Sequence, residues 1–258
     1  MLNSYSNNKN GEEFKKTVEK IDILKTIDIS GINFLDIKTV STYINFIPTS
    51  EKQAKVHFYG EYGSNYPDLQ LAKKKDRLNL EIKRFPEAKV DSEKKDSLNL
   101  DIYIPNHYNN NIEVKTVSGN VNFGDKNQEV TDDKITEKLE LSSMNNENIR
   151  IKSISGNIRV YRFNGDTDIS TVSGTVFLHY FLFDHNIKVK TTSGNTNISL
   201  PENSSFLLRK ESVSGNIRSD FPIYLRKNDR FITGEYGHGE NSIDINTVSG
   251  TTKIARNK

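Results

Sequence analysis

The chain has 258 residues, of which 34% are hydrophobic and 27% are charged, and its formal net charge at pH 7 is +2. This length suits one stack of repeats or two small domains. The chain contains no cysteine, which excludes structural disulfides and thiolate chemistry. Charges of both signs are mixed along the chain, and the run Lys73–Lys75 is typical of a solvated turn, so nucleic-acid binding has little support.

The beginning of the chain bears on where the protein acts. No stretch approaches roughly 18 consecutive apolar residues, so no membrane span is expected in this chain. Residues 1–16 lack the basic and apolar regions of a signal peptide and are expected to be a flexible lead-in, ending in a short helix within Gly11–Lys20. Two locations stay open: the cell envelope, if an N-terminal anchor has been removed, or the cytoplasm.

Residues 17–105 are predicted to form a β region with irregular spacing. Turn-rich segments at Glu61–Leu69 and Phe85–Asp96 interrupt it. The longer loops and hairpin-like spacing indicate that this region is partly antiparallel, or that it forms a sheet capping a stack. The expected strands are Ile21–Ile23, Phe34–Thr39, Tyr43–Ile47, Ala54–Tyr59, Leu78–Ile82 and Leu98–Ile104.

From residue 106 to residue 258 a nine-residue phrase recurs, as in KTVSGNVNF at Lys115–Phe123, and a divergent copy lies at Lys38–Phe46. Several copies follow each other at steps near 20 residues, which is typical of one coil of a parallel β-solenoid. Longer steps are either two coils or one coil with an insertion, such as the polar segment Asp125–Lys138. The repeated Ser-Gly residues are Ser118, Gly119, Ser155, Gly156, Ser173, Gly174, Ser193, Gly194, Ser214, Gly215, Ser249 and Gly250.

Apolar residues alternate on both sides of each Ser-Gly pair. Counted from the serine, positions −6, −4, +3 and +5 are mostly apolar, which predicts one strand on each side of a corner. Thr167 and Lys210 are the exceptions among the positions before the serine. The glycine would allow a positive φ at the corner. Position −2 always carries a hydroxyl, which predicts a ladder of hydroxyls bonded to neighbours or to corner carbonyls: Thr116, Ser153, Thr171, Thr191, Ser212 and Thr247.

These patterns together predict an all-β fold. Residues 106–258 are expected to form a parallel β-solenoid or β-helix-like stack, with a less regular β region at residues 17–105. The repeated serines are interpreted as structural, because a nucleophile needs a neighbouring base and no histidine or acidic residue recurs with the repeat.

The spacing of the other candidate catalytic or metal-binding residues gives little support for a site. The five histidines match no metal motif, and Asp184 with His185 is a pair in an expected turn. Asp166 and Asp168 precede a strand but have no recurring acidic partner, which weakens a glycan-cleaving interpretation. A cation could bind only if the glycine-rich turn at 234–240 folded back to gather Glu235, His238, Glu240 and Asp244. No cofactor or metal is therefore expected.

The aromatic residues give a stronger indication of a binding surface. A group lies between Val160 and Asp184, and because successive strand residues face opposite sides, some of them would point outward. The outward rings would form a patch for a glycan or a protein, whereas the alternative is that the rings fill a wider core. The group comprises Tyr161, Phe163, Phe177, Tyr180, Phe181 and Phe183.

The chain resembles the bacterial "putative adhesin" family of β-strand-repeat proteins, a domain of unknown function. The resemblance rests on Lys38–Pro48, on the passage Leu98–Val121 and on the glycine-rich closing passage Gly234–Ile254. Thr42, where some copies carry glycine, and the insertion after Phe123 depart from the pattern. The resemblance implies a solenoid-like fold, in many members an anchored protein outside the membrane, and no catalytic residues.

Three functions are open. The first is a non-enzymatic surface or envelope protein, monomeric, that presents a β face to an unknown protein or glycan. The second is a cytoplasmic scaffold that polymerises through its terminal coils. The polar N-terminal segment and the basic end Ala255–Lys258 are interpreted as caps, which disfavours the scaffold. The third is a glycan-acting enzyme, which would require a deep acidic groove.

Overall fold

The computed structural model describes residues 5–7, 13–15, 18–63, 65–85, 96–124, 144–228 and 230–257. Within these ranges every regular element is a β-strand. The strands are β1 (Tyr5–Asn7), β2 (Glu13–Lys15), β3 (Glu19–Ile27), β4 (Phe34–Lys38), β5 (Tyr43–Thr49), β6 (Ala54–Tyr62), β7 (Tyr66–Lys74), β8 (Arg77–Phe85), β9 (Ser97–Pro105), β10 (Asn111–Thr116), β11 (Val121–Phe123), β12 (Met144–Ser153), β13 (Ile158–Tyr161), β14 (Phe163–Ser173), β15 (Val176–His179), β16 (Ile187–Ser193), β17 (Thr196–Leu200), β18 (Phe206–Ser214), β19 (Ile217–Ser219), β20 (Arg226–Asn228), β21 (Phe231–Tyr236), β22 (Asn241–Ser249) and β23 (Thr252–Arg256).

Two large sheets dominate the fold. The 11-stranded sheet has the order β20-β21-β18-β22-β16-β14-β12-β10-β4-β8-β7, and the 10-stranded sheet has the order β19-β23-β17-β15-β13-β11-β5-β9-β6-β3. Along the middle of both sheets neighbouring strands are parallel. The predicted all-β fold with largely parallel pairing is therefore confirmed.

Each repeat contributes one strand to each sheet, and we call such a strand pair a rung. β10 leads through the Ser118-Gly119 corner to β11, and equivalent positions of successive repeats lie side by side, as Ile112 does with Ile149 and Val121 with Ile158. Because β10 pairs with β12 and β11 with β13, the long step after Ser118 is one rung with an insertion. The segment Asp125–Lys138 itself lies outside the described residues.

The stacking order departs from the chain order at both ends. The last rung, β22–β23, lies between β16–β17 and β18–β19. Likewise β4–β5 lies between β10–β11 and the later pair β8–β9. The basic C-terminal end therefore does not form a cap, because Ala255 and Arg256 belong to β23 and pair with Ser199 and Leu200 of β17 inside the stack.

Antiparallel strands bound the stack at each end. β7 pairs antiparallel with β8, and β3 and β6 continue antiparallel from β9. At the other end β20 and β21 pair antiparallel beside β18. The prediction that the N-terminal region is partly antiparallel is thus confirmed, while β4 with β8 and β5 with β9 pair parallel. Short or lysine-bearing edge strands such as β20 and β7 hinder pairing with another sheet, which disfavours end-to-end polymers.

Two local predictions are wrong. Where Gly11–Lys20 is described it is not helical, because Glu13–Lys15 pairs with β1 and Glu19 begins β3, which pairs with β6. Helix propensity is a weak tendency that strand pairing overrides. The turn-rich segment Glu61–Leu69 also contains the start of β7, since Pro67 and Leu69 alternate inward despite their turn-forming neighbours.

The core lies between the two sheets. Identical positions of adjacent rungs stack on each other, as the rings of Phe46 and Phe123 do with centroids 4.1 Å apart and planes within 8°. The two predicted exceptions are also buried. The Thr167 hydroxyl lies 2.5 Å from the Tyr180 hydroxyl, and the Lys210 ammonium donates to the Asn216 carbonyl at 2.7 Å. Burial lowers the pKa of Lys210, and the carbonyl bond compensates for part of the lost hydration.

The glycines of the corners form a column. A Cβ on any of the six would lie less than 3.0 Å from a carbonyl oxygen of the neighbouring rung, and each faces the oxygen of the glycine beside it or, for Gly119, of Thr42. Positive φ was the expected reason for glycine, but Gly119, Gly194 and Gly215 do not require it. Close approach between rungs is therefore the common requirement.

Side-chain hydrogen bonds satisfy several of the polar groups around this column, whereas the buried Thr191 hydroxyl has no hydrogen-bond partner among the described residues. The hydroxyls of Ser153, Thr171 and Thr247 each donate to the carbonyl of the serine two residues later, at 2.8–2.9 Å. On the other side of the corner, the Asn120 side-chain oxygen accepts from the Asn157 backbone, and the Asn157 side-chain oxygen accepts from Thr175. The rungs of Ser153 and Thr171 thus hydrogen-bond both within their corners and to a neighbouring rung.

Replacing Gly174 by alanine should destabilise the fold strongly. The new Cβ would meet the Gly156 carbonyl and would also sit at φ +117°. We expect a loss of about 3 kcal/mol in the free energy of unfolding, from backbone strain and overpacking together. Urea-induced unfolding measures it.

Gly31 provides the matched control. It also has a positive φ, +71°, but nothing lies within 4 Å of the place that a Cβ would occupy. Gly31→Ala should cost only the backbone term, about 1 kcal/mol. Equal losses for the two variants would contradict the close-approach explanation.

The Thr167–Tyr180 pair allows a double-mutant cycle. Thr167→Val leaves the buried Tyr180 hydroxyl unpaired and should cost about 1–3 kcal/mol, whereas Thr167→Val with Tyr180→Phe should recover most of it. Burial raises the pKa of Tyr180 above its usual value near 10. The contribution of the neutral Tyr180 hydroxyl to the free energy of unfolding is therefore complete below about pH 10 and is lost as the pH rises toward the folded-state pKa. This account would be contradicted if the losses in the free energy of unfolding were additive in the double variant. It would also be contradicted if Tyr180→Phe lost stability at alkaline pH as steeply as the wild type.

Candidate functional site

The repeated serines lie at the outer corner of the stack. The Ser118 hydroxyl donates to the Val40 carbonyl at 3.3 Å, and the Ser173 hydroxyl donates to the Ile154 carbonyl at 3.5 Å. Across the described ranges, no histidine or carboxylate is hydrogen-bonded to any of the six serine hydroxyls. A general base, which a serine nucleophile needs, is therefore not positioned at these corners.

The acidic candidates form lateral pairs. Asp166 accepts from the Asn186 backbone at 2.9 Å, and Asp168 pairs with Arg150 at 3.3 Å. His185 lies 3.2 Å from Asp184 and 3.8 Å from Asp166 on the surface. The described residues contain no group of three or more His, Cys, Asp or Glu side chains arranged to hold a metal ion. Those carboxylates therefore hold neighbouring rungs together.

The glycine-rich turn at 234–240 is closed by a serine. The Ser205 hydroxyl oxygen accepts from the backbone of His238 at 2.9 Å and of Glu240 at 3.3 Å. The turn does not gather the four residues that were considered for a cation.

The surface depressions are mixed in charge. One of about 370 Å³ crosses β16, β22, β18 and β21, and its lining includes Lys188, Arg209, Glu211 and Asp244. A glycan-cleaving solenoid would need an acidic pair across a groove, whereas basic and acidic side chains alternate across this one.

The aromatic group divides between core and surface. Phe163, Tyr180 and Phe183 are buried, whereas Tyr161 and Phe177 are half-buried on the outer face of the 10-stranded sheet. Phe181, in the turn that follows, is exposed. Both alternatives offered by the sequence are therefore realised, each by half of the group.

The outward rings lie among arginine side chains. The Arg159 guanidinium carbon is 5.3 Å from the Phe177 ring centroid, and that of Arg162 is 5.4 Å from the Phe181 centroid. The His179 ring packs edge-on against Phe181, with centroids 4.8 Å apart. We call this set the aromatic–arginine face: Arg159, Tyr161, Arg162, Phe177, His179 and Phe181.

Local backbone geometry creates this face. The rung register places Arg159 beside Phe177 and Tyr161 beside His179. Arg162 has φ 54°, which is uncommon for a residue with a side chain, and its backbone donates to the His179 carbonyl at 3.2 Å. This irregularity resets the alternation, so that Tyr161 and Arg162 both lie away from the core while Phe163 turns inward.

Two features set the charge of the face. Burial, and next the positive charge of Arg162, lower the pKa of His179, which favours the neutral imidazole. Farther along the row of Phe177 come Asn197, Lys253 and Arg218. The face therefore combines apolar rings with guanidinium groups, a combination that binds planar apolar surfaces and anionic groups.

The sequence contained a signal for the arginines that was missed. Position +4 after the serine, which faces outward between two core positions, is arginine in KSISGNIRV and ESVSGNIRS. Stacking then brings Arg159 beside Phe177, 18 positions later in the chain.

The fold defines a class of protein: an all-β stack of repeats with long outward rows of side chains. Within that class, the chain belongs to the family described as Toastrack DUF4097, whose model matches residues 126–255. The predicted family resemblance is confirmed. No curated protein matches the chain. No helix in the described ranges is long and apolar enough to cross a membrane.

Several solved structures are similar to this chain. The crystal structure of a "putative cell adhesion protein" from Clostridium sporogenes is 17% identical, covers 93% of this chain and 100% of its own, and has a TM-score of 0.54. A "putative adhesin" from Parabacteroides distasonis is 13% identical over 92% of this chain and 96% of its own, with a TM-score of 0.36. One from Bacteroides fragilis is 13% identical over 94% and 99%, with a TM-score of 0.30.

Removing the charge of Arg162 should raise the pKa of His179. Arg162→Gln removes the like charge, while burial still holds the pKa below its usual value near 6.5. Arg159→Gln also removes one positive charge, but beside Phe177, and should leave the pKa of His179 unchanged. Histidine NMR titration measures both.

The same shift links His179 to stability. Because its folded-state pKa is lowered, the contribution of the neutral ring is present above about pH 6.5 and is lost as the pH falls toward the folded-state value. If the pKa of His179 in Arg162→Gln were the same as in the wild type, the assigned role of Arg162 would be contradicted.

Proposed function

We propose that the protein is a non-enzymatic surface or envelope-associated interaction protein that binds its ligand through the aromatic–arginine face. The observation that carries this proposal is the outward placement of Tyr161, Phe177 and Phe181 beside Arg159 and Arg162. Core packing does not need these rings on the outside, and partly exposed rings next to cations are typical of recognition surfaces.

The chemistry of the face favours an acidic glycan. Flat aromatic rings stack on the apolar faces of sugar rings, and guanidinium groups bind carboxylates through paired hydrogen bonds. The face is shallow, so affinity would come from several weak contacts repeated along a chain. Sialic acids and uronic acids both carry the carboxylate that this arrangement fits.

The proposal assigns no catalysis to the protein. It is supported by the Ser118 and Ser173 hydroxyls, which donate to backbone carbonyls, and by Asp166 and Asp168, which pair with the Asn186 backbone and with Arg150. A binding role agrees with the names of similar solved structures, which support an extracytoplasmic location as part of the proposal.

The proposed scaffold for this face is a parallel β-solenoid. We propose that residues 106–258 coil as its regular part and that residues 17–105 are a region of the same stack. The pairing of β4 with β10 and of β5 with β11 supports this continuity. Residues 1–16 are proposed to lie apart from it as a lead-in.

Glycan binding tests the proposal. Wild-type protein on a printed panel of neutral, sialylated and uronate-containing oligosaccharides should favour the acidic members. Phe177→Ser with Phe181→Ser should weaken binding by at least about tenfold, because the stacking surface is lost. Phe231→Ser is the matched control, since Phe231 is 55% exposed on the other sheet.

Circular dichroism and thermal unfolding would check that the variants fold. Equal loss in the Phe231→Ser control, or retention of binding by the folded double variant, would refute the assignment of this face. Binding of every glycan without regard to charge would refute the role of the arginines.

A further inference from the structure

The corner of the 11-stranded sheet carries an exposed apolar ridge. Every residue at position −1 faces outward, and all but Thr192 are β-branched hydrophobics with 41–62% of their surface exposed. Each lies next to its equivalent in the adjacent rung, as shown by the Ser118 and Ser155 backbones donating to the carbonyls of Val40 and Val117. The apolar ridge consists of Val40, Val117, Ile154, Val172, Val248 and Val213.

A row of lysines runs beside this ridge. Position −3 faces the same side of the sheet, and the register places Lys38 beside Lys115, Lys115 beside Lys152, and Lys152 beside Ser170, which precedes Lys190. We call Lys38, Lys115, Lys152 and Lys190 the lysine row. Neighbouring strands are about 4.8 Å apart, so adjacent ammonium groups are close enough to repel each other.

The sequence does not show this row as a basic run. The first two lysines are separated by 77 positions along the chain, and stacking alone brings them together. The run Lys73–Lys75, interpreted from the sequence as a solvated turn, lies at the end of β7 and in the turn before β8. The overlooked signal is the lysine that begins four copies of the repeated phrase.

The next outward row behaves differently. At position −5 the charges alternate across the sheet, as in Arg150, Asp168, Lys188 and Asp244. That alternation neutralises its own charge. The lysine row is bounded by Glu81 beside Lys38 and by Asn246 and then Glu211 beyond Lys190, and it keeps an excess of positive charge between them. Glu113 lies 3.1 Å from Lys115 and 3.7 Å from Lys152, but no carboxylate in the described ranges lies within 4 Å of the Lys38 or Lys190 ammonium.

We propose that the apolar ridge and the lysine row together dock on an anionic lipid bilayer. The row requires a negative partner, and the ridge requires an apolar one at a slightly greater depth. Positions −1 and −3 are separated by about 7 Å along the strand. In the docked protein the ridge would contact the boundary of the acyl chains, and the long lysine side chains would extend to the lipid phosphates.

The arrangement of the surface suits an extended flat partner. The ridge crosses consecutive rungs for about 29 Å, and its exposed members lie in one row at the corner of the 11-stranded sheet. A soluble polyanion would engage the lysines and leave the ridge in water. A second copy docked ridge to ridge would bring two lysine rows together.

Vesicle co-sedimentation tests the proposal. Vesicles of phosphatidylcholine with about 30 mol% phosphatidylglycerol should bind the wild-type protein at least about tenfold more strongly than pure phosphatidylcholine. The ridge variant Val117→Thr, Ile154→Thr, Val172→Thr and the lysine variant Lys115→Gln, Lys152→Gln, Lys190→Gln should each reduce binding by about tenfold or more. All three ridge positions are exposed, so these replacements leave the core unchanged.

The control removes the same charge elsewhere. Lys52→Gln, Arg218→Gln and Lys253→Gln lie away from the ridge and should leave binding within about twofold of wild type. Equal binding to both vesicle types would overturn the proposal. Retained binding by the ridge variant, with equal competition by inorganic polyphosphate, would assign the row to a soluble polyanion. A dimer in light scattering that the ridge variant dissociates would assign the ridge to a second copy.

Discussion

The close approach of successive rungs at the glycine column is the constraint on which the rest of the fold depends. Without a Cβ at this corner, the backbone of Gly174 lies directly against the Gly156 carbonyl, and the strands on both sides are brought into register at once. That register stacks like positions on like, which produces the inward hydroxyl and aromatic ladders. It also produces the outward rows. A residue at one position of the phrase therefore becomes part of a line across the whole sheet.

Thr42 indicates where the column ends. It occupies the corner position of the β4–β5 rung, and Gly119 packs against its carbonyl. The next strands outward, β8 and β9, lack the repeated phrase. The described glycine column therefore begins at Gly119, where the neighbouring rung contributes a residue with a side chain.

The repeat pattern was sufficient to predict what depends on local alternation. Ile112 and Val114 face the core, and the hydroxyls of Ser153, Thr171 and Thr247 bond at the corners, because period-two alternation and turn chemistry are local properties. The order of the strands was not accessible. The insertion of β22 beside β16 is decided by which rungs fit together in space, and every repeat offers nearly the same edge. The division of the aromatic group between core and surface could not be predicted either, because the positive φ of Arg162 resets the alternation between Tyr161 and Phe163.

The same register separates stability from recognition. Substitutions at the glycines or at position −2 act on the contacts between rungs, whereas positions −1 and −3 are at least partly exposed. Position +4 is partly exposed from Arg159 onward in the stack, but Asn45 and Asn122 at this position are buried and hydrogen-bond to each other. Outward positions are therefore free to change chemistry one row at a time without disturbing the stack. Because each row repeats about every 4.8 Å, even a weak preference at one position is multiplied along the sheet. A shallow surface with no deep pocket can in this way acquire affinity for an extended partner, and two sheets give one molecule two such surfaces of different chemistry.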